Sequence, residues 1–304
     1  MSDADSTQAD TTQKDVWTIL RMLQWTTEHL KKHGSGSPRL DAEVLLAHAR
    51  NCQRIDLYAA YNEEPPESVK AIFRDLVKRR ASGEPVAYLT GKKEFYSVPI
   101  RVSSDCLIPR PETEHVVVAC LDRLKRMRGP VQIVDVCTGS GCIAAAVAKE
   151  SQRLPEVQVT LTAIDLSPEA LAIAKGNFEQ LGFGGSIAVQ QGDLLASLPD
   201  QSYDFILSNP PYISDTEYLQ LDKTVRNYEP KMALVSGPTG TEVIERLIQQ
   251  AAAKLKPGGW LIFEHSPMIA ERCLGLLQAA GGWREPHIIK DLAGHPRIAV
   301  AERA

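Results

Sequence analysis

The sequence predicts an α/β protein, with a mostly parallel sheet covered by helices on both faces and a small helical domain ahead of it. Three observations carry that reading. From about Pro130, short apolar runs rich in β-branched residues alternate with longer helical stretches. Upstream, apolar residues recur at helical spacing. Between the two, a stretch over 85–105 alternates as a hairpin does.

The elements follow in chain order. "MSDADSTQADTTQKD", residues 1–15, is polar and acidic without an apolar h-region, so a frayed tail is expected rather than a secretory signal. Val16, Ile19, Leu20 and Leu23 mark the first helix, which "KKHGSGS" stops. Ser37-Pro38 caps a second, "PRLDAEVLLAHAR", with Pro38 tolerated in the first turn. Pro66 opens a third, where Val69, Ile72, Phe73, Leu76 and Val77 form one apolar stripe, read as packing between helices. "VAYLTGKKEFYSVPIRVS" then reads as a hairpin turning at Thr90-Gly91. The strands "VQIVDV", "VQVTLTAID", "SIAVQ", "YDFILSN" and "WLIFE" are separated by helices such as "SPEALAIAKGNFEQLG" and "TEVIERLIQQAAAKLKPGG". "PHIIKDLAGHPRIAVAER" closes the chain as an antiparallel pair. The expected divisions are a tail 1–15, a helical domain 16–84, a hairpin linker 85–105 and an α/β domain 106–304.

Composition excludes several classes. With 34 Lys+Arg against 38 Asp+Glu, the net charge of −4 argues against a broad, sequence-independent grip on nucleic-acid phosphates. No apolar run approaches the roughly 20 residues of a membrane helix. The six cysteines form no CxxC and read as reduced thiols of a cytoplasmic protein. The seven histidines are scattered and none falls in an HExxH, so no metal is expected.

The chemistry begins at "VDVCTGSGCIAAAVAKE", which runs strand, glycine-rich turn, helix. Gly139 and Gly141 let the backbone approach a ligand closely, and the helix start offers free N–H groups. Asp165 ends the next strand, 24 residues beyond Gly141, where an acidic side chain accepts from ribose hydroxyls. Together these signal a nucleoside-containing cofactor. Gly139 to Ala144 also fits G-x-G-x-x-A, which leaves a dinucleotide enzyme open at this point. Three features tilt the choice. Asp135 precedes the loop, suited to accept from an amino group. Gly192-Asp193 in "QGDLL" follows the third strand and suits an adenine edge. Asn209-Pro210-Pro211-Tyr212 follows the fourth. This set resembles the class I S-adenosylmethionine-dependent methyltransferases that carry a [DN]-PP-[YFW] motif and methylate nitrogen in amides or adenines.

The motif answers a chemical need. An amide or adenine nitrogen is a poor nucleophile because its lone pair is delocalised. Acceptors on both of its hydrogens hold it and favour an electron pair facing the methyl group. Asn209 offers a side-chain carbonyl, and Pro210 a backbone carbonyl without an N–H of its own. The prolines fix both acceptors in advance, and Tyr212 forms a wall against the planar group. A sulfonium methyl is already activated, so no strong general base is needed at the outset.

"SPRLDAEVLLAHA", "RRASGEPVAYLTGKKEFYSVPIRVSSDCLIPRPETE", "SNPPYI" and "VRNYEPKMALVSG" together resemble the HemK-type peptide chain release factor glutamine methyltransferases over nearly the whole chain. The resemblance implies a seven-stranded class I methyltransferase domain, a hairpin and an N-terminal helical substrate-recognition domain. It implies N5 methylation of the glutamine in the Gly-Gly-Gln motif of class 1 release factors. It also implies an adenosylmethionine loop at Cys137, Thr138, Gly139, Ser140 and Gly141, a ribose contact at Asp165, and substrate contacts at Asn209 to Tyr212. Leu194 lies beside the adenine-edge Asp193. A monomer without direct nucleic-acid or membrane binding is expected. Cys137 stands where most members have glycine; a cysteine with negative φ fits there but narrows the loop. "DVCTGSGCIA" is closer to the sister ribosomal protein L3 glutamine methyltransferases, whereas "IPRPETE" matches the release-factor branch. L3 methylation and N6-adenine methylation are the alternative activities, with a vestigial interaction module and an NAD-dependent enzyme disfavoured by the intact motifs. Arg110 to Thr113 is expected to close over the cofactor's amino-acid end. The irregular stretch Ser214 to Pro230 is read as a lid, a partner-binding loop or solvated surface. In "FEHSP", Ser266-Pro267 replaces a family glycine, and Glu264 is given a weak supporting role.

Overall fold

The computed structural model describes residues 16–304, so the stretch read as a frayed tail lies outside the described residues. The chain forms two compact units, one ending at Thr90 and one spanning Gly91–Ala304.

The first unit is all helical. Its helices are α1 (Ile19–Lys32), α2 (Pro38–Arg50), α3 (Arg54–Ala59), α4 (Glu67–Ala81) and α5 (Val86–Thr90). Pro38 and Pro66 open α2 and α4 as the sequence predicts, because a helix start does not need the N–H that proline lacks. Leu23, Leu30, Leu45, Leu46, Phe73 and Leu76 fill the core. The α4 stripe is not wholly internal: Ile72 is 50% exposed. The short helices α3 and α5 escaped the sequence reading, since six and five residues are too few to show a period.

The hairpin turns later than predicted. Residues 86–90 are helical, and the strands are β1 (Lys92–Phe95) and β2 (Val98–Arg101). The turn is Tyr96-Ser97, with φ 49° and 55°, which gives it the twist of a two-residue hairpin. No glycine marks it, and Gly91 drew the prediction instead. The hairpin belongs to the second unit and is tied into it: Asn177 brackets the Arg101 backbone, accepting from its N–H at 2.8 Å and donating to its carbonyl at 3.0 Å.

That unit continues with α6 (Glu114–Leu124), β3 (Gly129–Val136), α7 (Cys142–Ser151), β4 (Val157–Asp165), α8 (Pro168–Gln180), β5 (Ile187–Gln191) and β6 (Tyr203–Ser208). A small parallel pair, β7 (Ile213–Ser214) and β8 (Val235–Gly237), flanks α9 (Asp215–Gln220) and α10 (Lys223–Tyr228). The stretch 214–230 is therefore two short capped helices rather than irregular chain, with Ser214 and Glu217 forming a capping box. The chain ends with α11 (Glu242–Lys254), β9 (Leu255–Glu264), α12 (Ala270–Ala280), β10 (Trp283–Lys290) and β11 (Pro296–Arg303).

Seven strands form one sheet in the order β10-β11-β9-β6-β3-β4-β5, and β11 alone runs against the rest. Parallel pairing puts Val136 opposite both Ile164 and Ser208. The residues that follow them, Cys137, Asp165 and Asn209, emerge side by side at the carboxyl edge where strand order reverses, the place such sheets bind ligands. Among the described residues, no helix is long and apolar enough to cross a membrane.

Buried charge in the helical unit is concentrated at Glu43 on α2. Its carboxylate accepts from Arg39 Nε at 2.7 Å, Arg54 Nη2 at 2.9 Å and the Tyr58 hydroxyl at 3.0 Å. Burial opposes its ionisation, but these three donors outweigh it and hold its pKa below the usual value. The stabilisation is thus present above the usual glutamate range and is lost as pH falls through the lowered value. Both arginines are well exposed, so Glu43→Gln is expected to lower unfolding free energy by about 1–3 kcal/mol, below the range for a wholly buried pair. Denaturant unfolding of the two proteins at neutral pH checks this.

Candidate active site

The loop between β3 and α7 is built from backbone conformations that side chains rarely adopt. Cys137, Gly139 and Gly141 take φ values of 57°, 54° and 79°. Gly141 has no alternative, because a Cβ there would lie 2.6 Å from Cζ of Phe178. Cys137 does not take the negative φ by which a cysteine would fit without strain. It keeps the left-handed conformation of a glycine, at a cost of about 1–2 kcal/mol. The hydrogen bond from Thr138 N–H to the Ile164 carbonyl, 3.0 Å, pins the residue that follows.

Two aspartates fix the loop from different sides. Asp165, at the end of β4, accepts from Gly139 N–H at 2.8 Å through Oδ2 and from Ser167 N–H at 3.0 Å through Oδ1. Burial raises its pKa against those bonds. Asp135 is wholly buried beneath the loop. Its Oδ2 accepts from Thr138 Oγ1 at 2.6 Å and Ala144 N–H at 3.1 Å, while Oδ1 has no partner among the described residues. Burial pushes this carboxyl up to about 7 despite both donors.

A cleft opens above the loop. Its walls include Cys137, Thr138, Gly139, Ser140, Asp165, Asp193, Leu194, Asn209 and Pro211. Four residues expected at the site are not among those walls: Asp135, which is wholly buried, and Gly141, Pro210 and Tyr212. Asp135 therefore meets the loop's own donors where an amino group of the cofactor was expected. Asp193 is paired with Arg246 of α11, Nη2 to Oδ2 at 2.5 Å, and Arg246 completes that wall. Sequence reasoning passed over Arg246 because nothing local distinguishes it from the other charges of an amphipathic helix.

Asn209 leaves the end of β6 with its Nδ2 donating to Thr113 Oγ1 at 3.1 Å. Thr113 donates in turn to Glu264 Oε2 at 2.5 Å, and the Tyr212 hydroxyl donates to Glu264 Oε1 at 2.9 Å. Thr113 sits in the turn Pro111–Thr113 ahead of α6, so "IPRPETE" reaches the site by holding Asn209. Glu264 is buried at the end of β9, and burial raises its pKa while Thr113 and Tyr212 oppose that shift. Its place is central where the sequence suggested a weak one. Ser266 and Pro267 fit without a glycine: Ser266 Oγ accepts from Met268 N–H at 3.3 Å and caps the short turn Pro267–Ile269 before α12. Glu229 was also missed. It accepts from Arg110 Nη2 at 2.5 Å and from Ile108 N–H at 3.2 Å, joining "IPRP" to "YEP" across the cleft wall.

The cleft suits S-adenosylmethionine by its chemistry. Asp105, Asp165 and Asp193 face a single guanidinium, that of Arg246, so the lining favours a cationic ligand. Among the described residues, buried Ser140 Oγ on the same wall has no hydrogen-bond partner. The sheet order, the glycine loop and the N-P-P-Y turn beside it define a class I adenosylmethionine-dependent methyltransferase.

Comparison with known proteins narrows the class. Residues 21–91 match the family model described as the PrmC N-terminal domain, and residues 115–226 the methyltransferase small domain. A release factor glutamine methyltransferase of Rhodopirellula baltica is 50% identical over 97% of this chain and 100% of its own length. Another, from Coxiella burnetii, is 40% identical over 88% of this chain and 93% of its own. The chain belongs to the release factor glutamine methyltransferase family. Among solved structures, the hMettl16 catalytic domain in complex with MAT2A 3'UTR hairpin 6 superposes with a TM-score of 0.55 at 17% identity. It covers 75% of this chain and 82% of that one, a likeness of fold alone.

Two outcomes follow from the loop. Gly141→Ala adds a Cβ against the Phe178 ring at a positive φ, so adenosylmethionine binding measured by calorimetry weakens about tenfold or more. Asp135→Asn keeps an acceptor for Thr138 and Ala144 and removes the charge. Because the folded pKa of Asp135 is raised to about 7, its protonated form is the stable one at low pH, and stability is lost as pH rises through that value. The melting temperature of Asp135→Asn should therefore gain on that of the wild type between about pH 4 and about pH 7 and level off above that. A pH-independent difference contradicts it.

Proposed function

We propose that this protein transfers a methyl group from S-adenosylmethionine to N5 of the glutamine side chain in the Gly-Gly-Gln motif of class 1 peptide chain release factors. The observation that carries the reading is the anchored carboxamide of Asn209. Its Nδ2 is committed to Thr113, and among the described residues Oδ1 has no hydrogen-bond partner. An acceptor is thereby presented to the cleft, in register with the glycine loop.

The roles follow from residue chemistry. Asn209 Oδ1 and the Pro210 carbonyl accept from the two hydrogens of the substrate amide, holding its plane and turning its nitrogen lone pair outward. Pro210 and Pro211 stiffen the chain between the acceptors. Tyr212, held through its hydroxyl by Glu264, supports the turn as a wall for the planar group. Cys137 to Gly141 provide the backbone cradle for the cofactor, Asp165 accepts from ribose hydroxyls, and Asp193 with Leu194 borders the adenine. Asp135 acts from beneath, setting Thr138 and the start of α7. When bound, adenosylmethionine supplies a sulfonium-activated methyl, so no strong base has to form a nucleophile first.

The protein substrate is a release factor recognised with the help of the helical domain, 16–84, with 85–105 as the connection and 106–304 as the methyltransferase domain. The enzyme works in the cytoplasm as a monomer, without membrane or direct nucleic-acid binding. Support for the substrate comes from relatives that carry that name along nearly their whole length.

The test is mass spectrometry of a class 1 release factor incubated with the protein and adenosylmethionine. One added methyl on the Gly-Gly-Gln glutamine is expected. Asn209→Ala should lower turnover by about a hundredfold or more while cofactor affinity stays within about threefold. A release factor left unmodified, or a fully active Asn209→Ala, rejects the proposal.

A further inference from the structure

We propose that Glu264 is a positioning residue for methyl transfer: acting through Thr113, its carboxylate decides which end of the Asn209 carboxamide faces the substrate. The inference rests on the acceptor role of Asn209 proposed above. A carboxamide is ambiguous, since one end accepts and the other donates, and the two differ little in shape. Were the group turned over, an NH2 would face the hydrogens of the substrate amide and the clamp would repel what it must hold. Nothing in Asn209 itself prevents that rotation.

The neighbours prevent it, through a chain of fixed polarity. Thr113 Oγ1 lies 3.1 Å from Asn209 Nδ2. A hydroxyl is ambiguous as well, able to donate toward asparagine or to accept from it. Glu264 removes the choice. An ionised carboxylate only accepts, so the Thr113 proton is committed to Oε2 at 2.5 Å and its oxygen is left to accept from Asn209. The second carboxylate oxygen takes the Tyr212 hydroxyl at 2.9 Å, so Glu264 has a committed partner on each side. Thr113 and Glu264 are 2% and 1% exposed, which keeps water from replacing either partner. The geometry is supplied by three separate parts of the chain. Ser208 and Phe263 are paired across β6 and β9, so Asn209 and Glu264 are the next residues on neighbouring strands, and the turn before α6 brings in Thr113.

Three variants separate this relay from a purely structural role. Thr113→Val keeps the shape and cuts the chain while sparing the Glu264–Tyr212 bond. Its kcat on the release factor should fall about tenfold or more, with KM for the release factor and Kd for adenosylmethionine within about twofold of wild type. Thr113→Ser restores the hydroxyl and should recover kcat to within about threefold. Adding Glu264→Gln to Thr113→Val should cost no further kcat, because the chain is already broken. Nuclear magnetic resonance gives a readout that does not depend on the methyl acceptor. The Asn209 side-chain amide protons should exchange slowly with solvent in wild type and Thr113→Ser, and rapidly in Thr113→Val. The proposal is overturned by a Thr113→Val enzyme at wild-type kcat, by a loss matched by weaker cofactor binding, by failure of Thr113→Ser to recover, by multiplying losses in the double variant, or by unchanged exchange. A wild type that leaves the release factor unmodified yet protects the Asn209 amide rejects the substrate assignment and supports the relay.

Discussion

Parallel pairing of β3 with β4 on one side and β6 on the other is the constraint on which the site depends. β3 and β6 end one residue before Cys137 and Asn209, β4 ends on Asp165, and the register sets Val136 level with Ile164 and Ser208. A shift of one residue in any pair would turn the strand over and send its apolar side chains to the wrong face. Ile133, Val134, Ile164, Phe205 and Ile206 are all essentially buried, so such a slip is heavily penalised. The buried strand residues thus place the chemistry, although none of those five lines the cleft.

Above that frame the site is held by polar groups placed where water cannot reach them. Asp135 under the glycine loop and Glu264 behind Asn209 are both buried carboxylates, each accepting from two donors. Leaving such a group unsatisfied costs about 1–3 kcal/mol or more, so these networks are rigid once formed. Rigidity is what an uncharged, weakly nucleophilic amide requires, because little besides orientation is available to lower its barrier. The strained Cys137 belongs to the same economy of shape: its left-handed φ preserves the path a glycine would give, and the core packing around it bears the strain.

Much of the fold was legible because its signals are local. The β-branched strands, the proline-opened helices α2 and α4, the glycine loop and the N-P-P-Y turn each announce themselves within about ten residues. The misplaced hairpin turn shows the limit of such reading. Gly91 looked like the turn, but Tyr96 and Ser97 adopt left-handed φ because flanking strands demand it, which no residue preference reveals. The same holds for residues 214–230, where two six-residue helices are too short to declare a period.

What the sequence by itself determined is the order of parts: helical unit, hairpin, glycine loop, acidic strand ends, then an asparagine stiffened by two prolines. Chain order and residue type suffice for these, since each motif carries its own geometry over a few bonds. What only the tertiary structure decided is the surroundings of those motifs. Thr113 to Asn209, Tyr212 to Glu264, Asp193 to Arg246 and Arg110 to Glu229 are separated by about fifty residues or more, and no local pattern encodes their meeting. Hydrogen-bond polarity is a property of neighbours in space, so the direction in which Asn209 points was unreadable until Thr113 and Glu264 stood beside it.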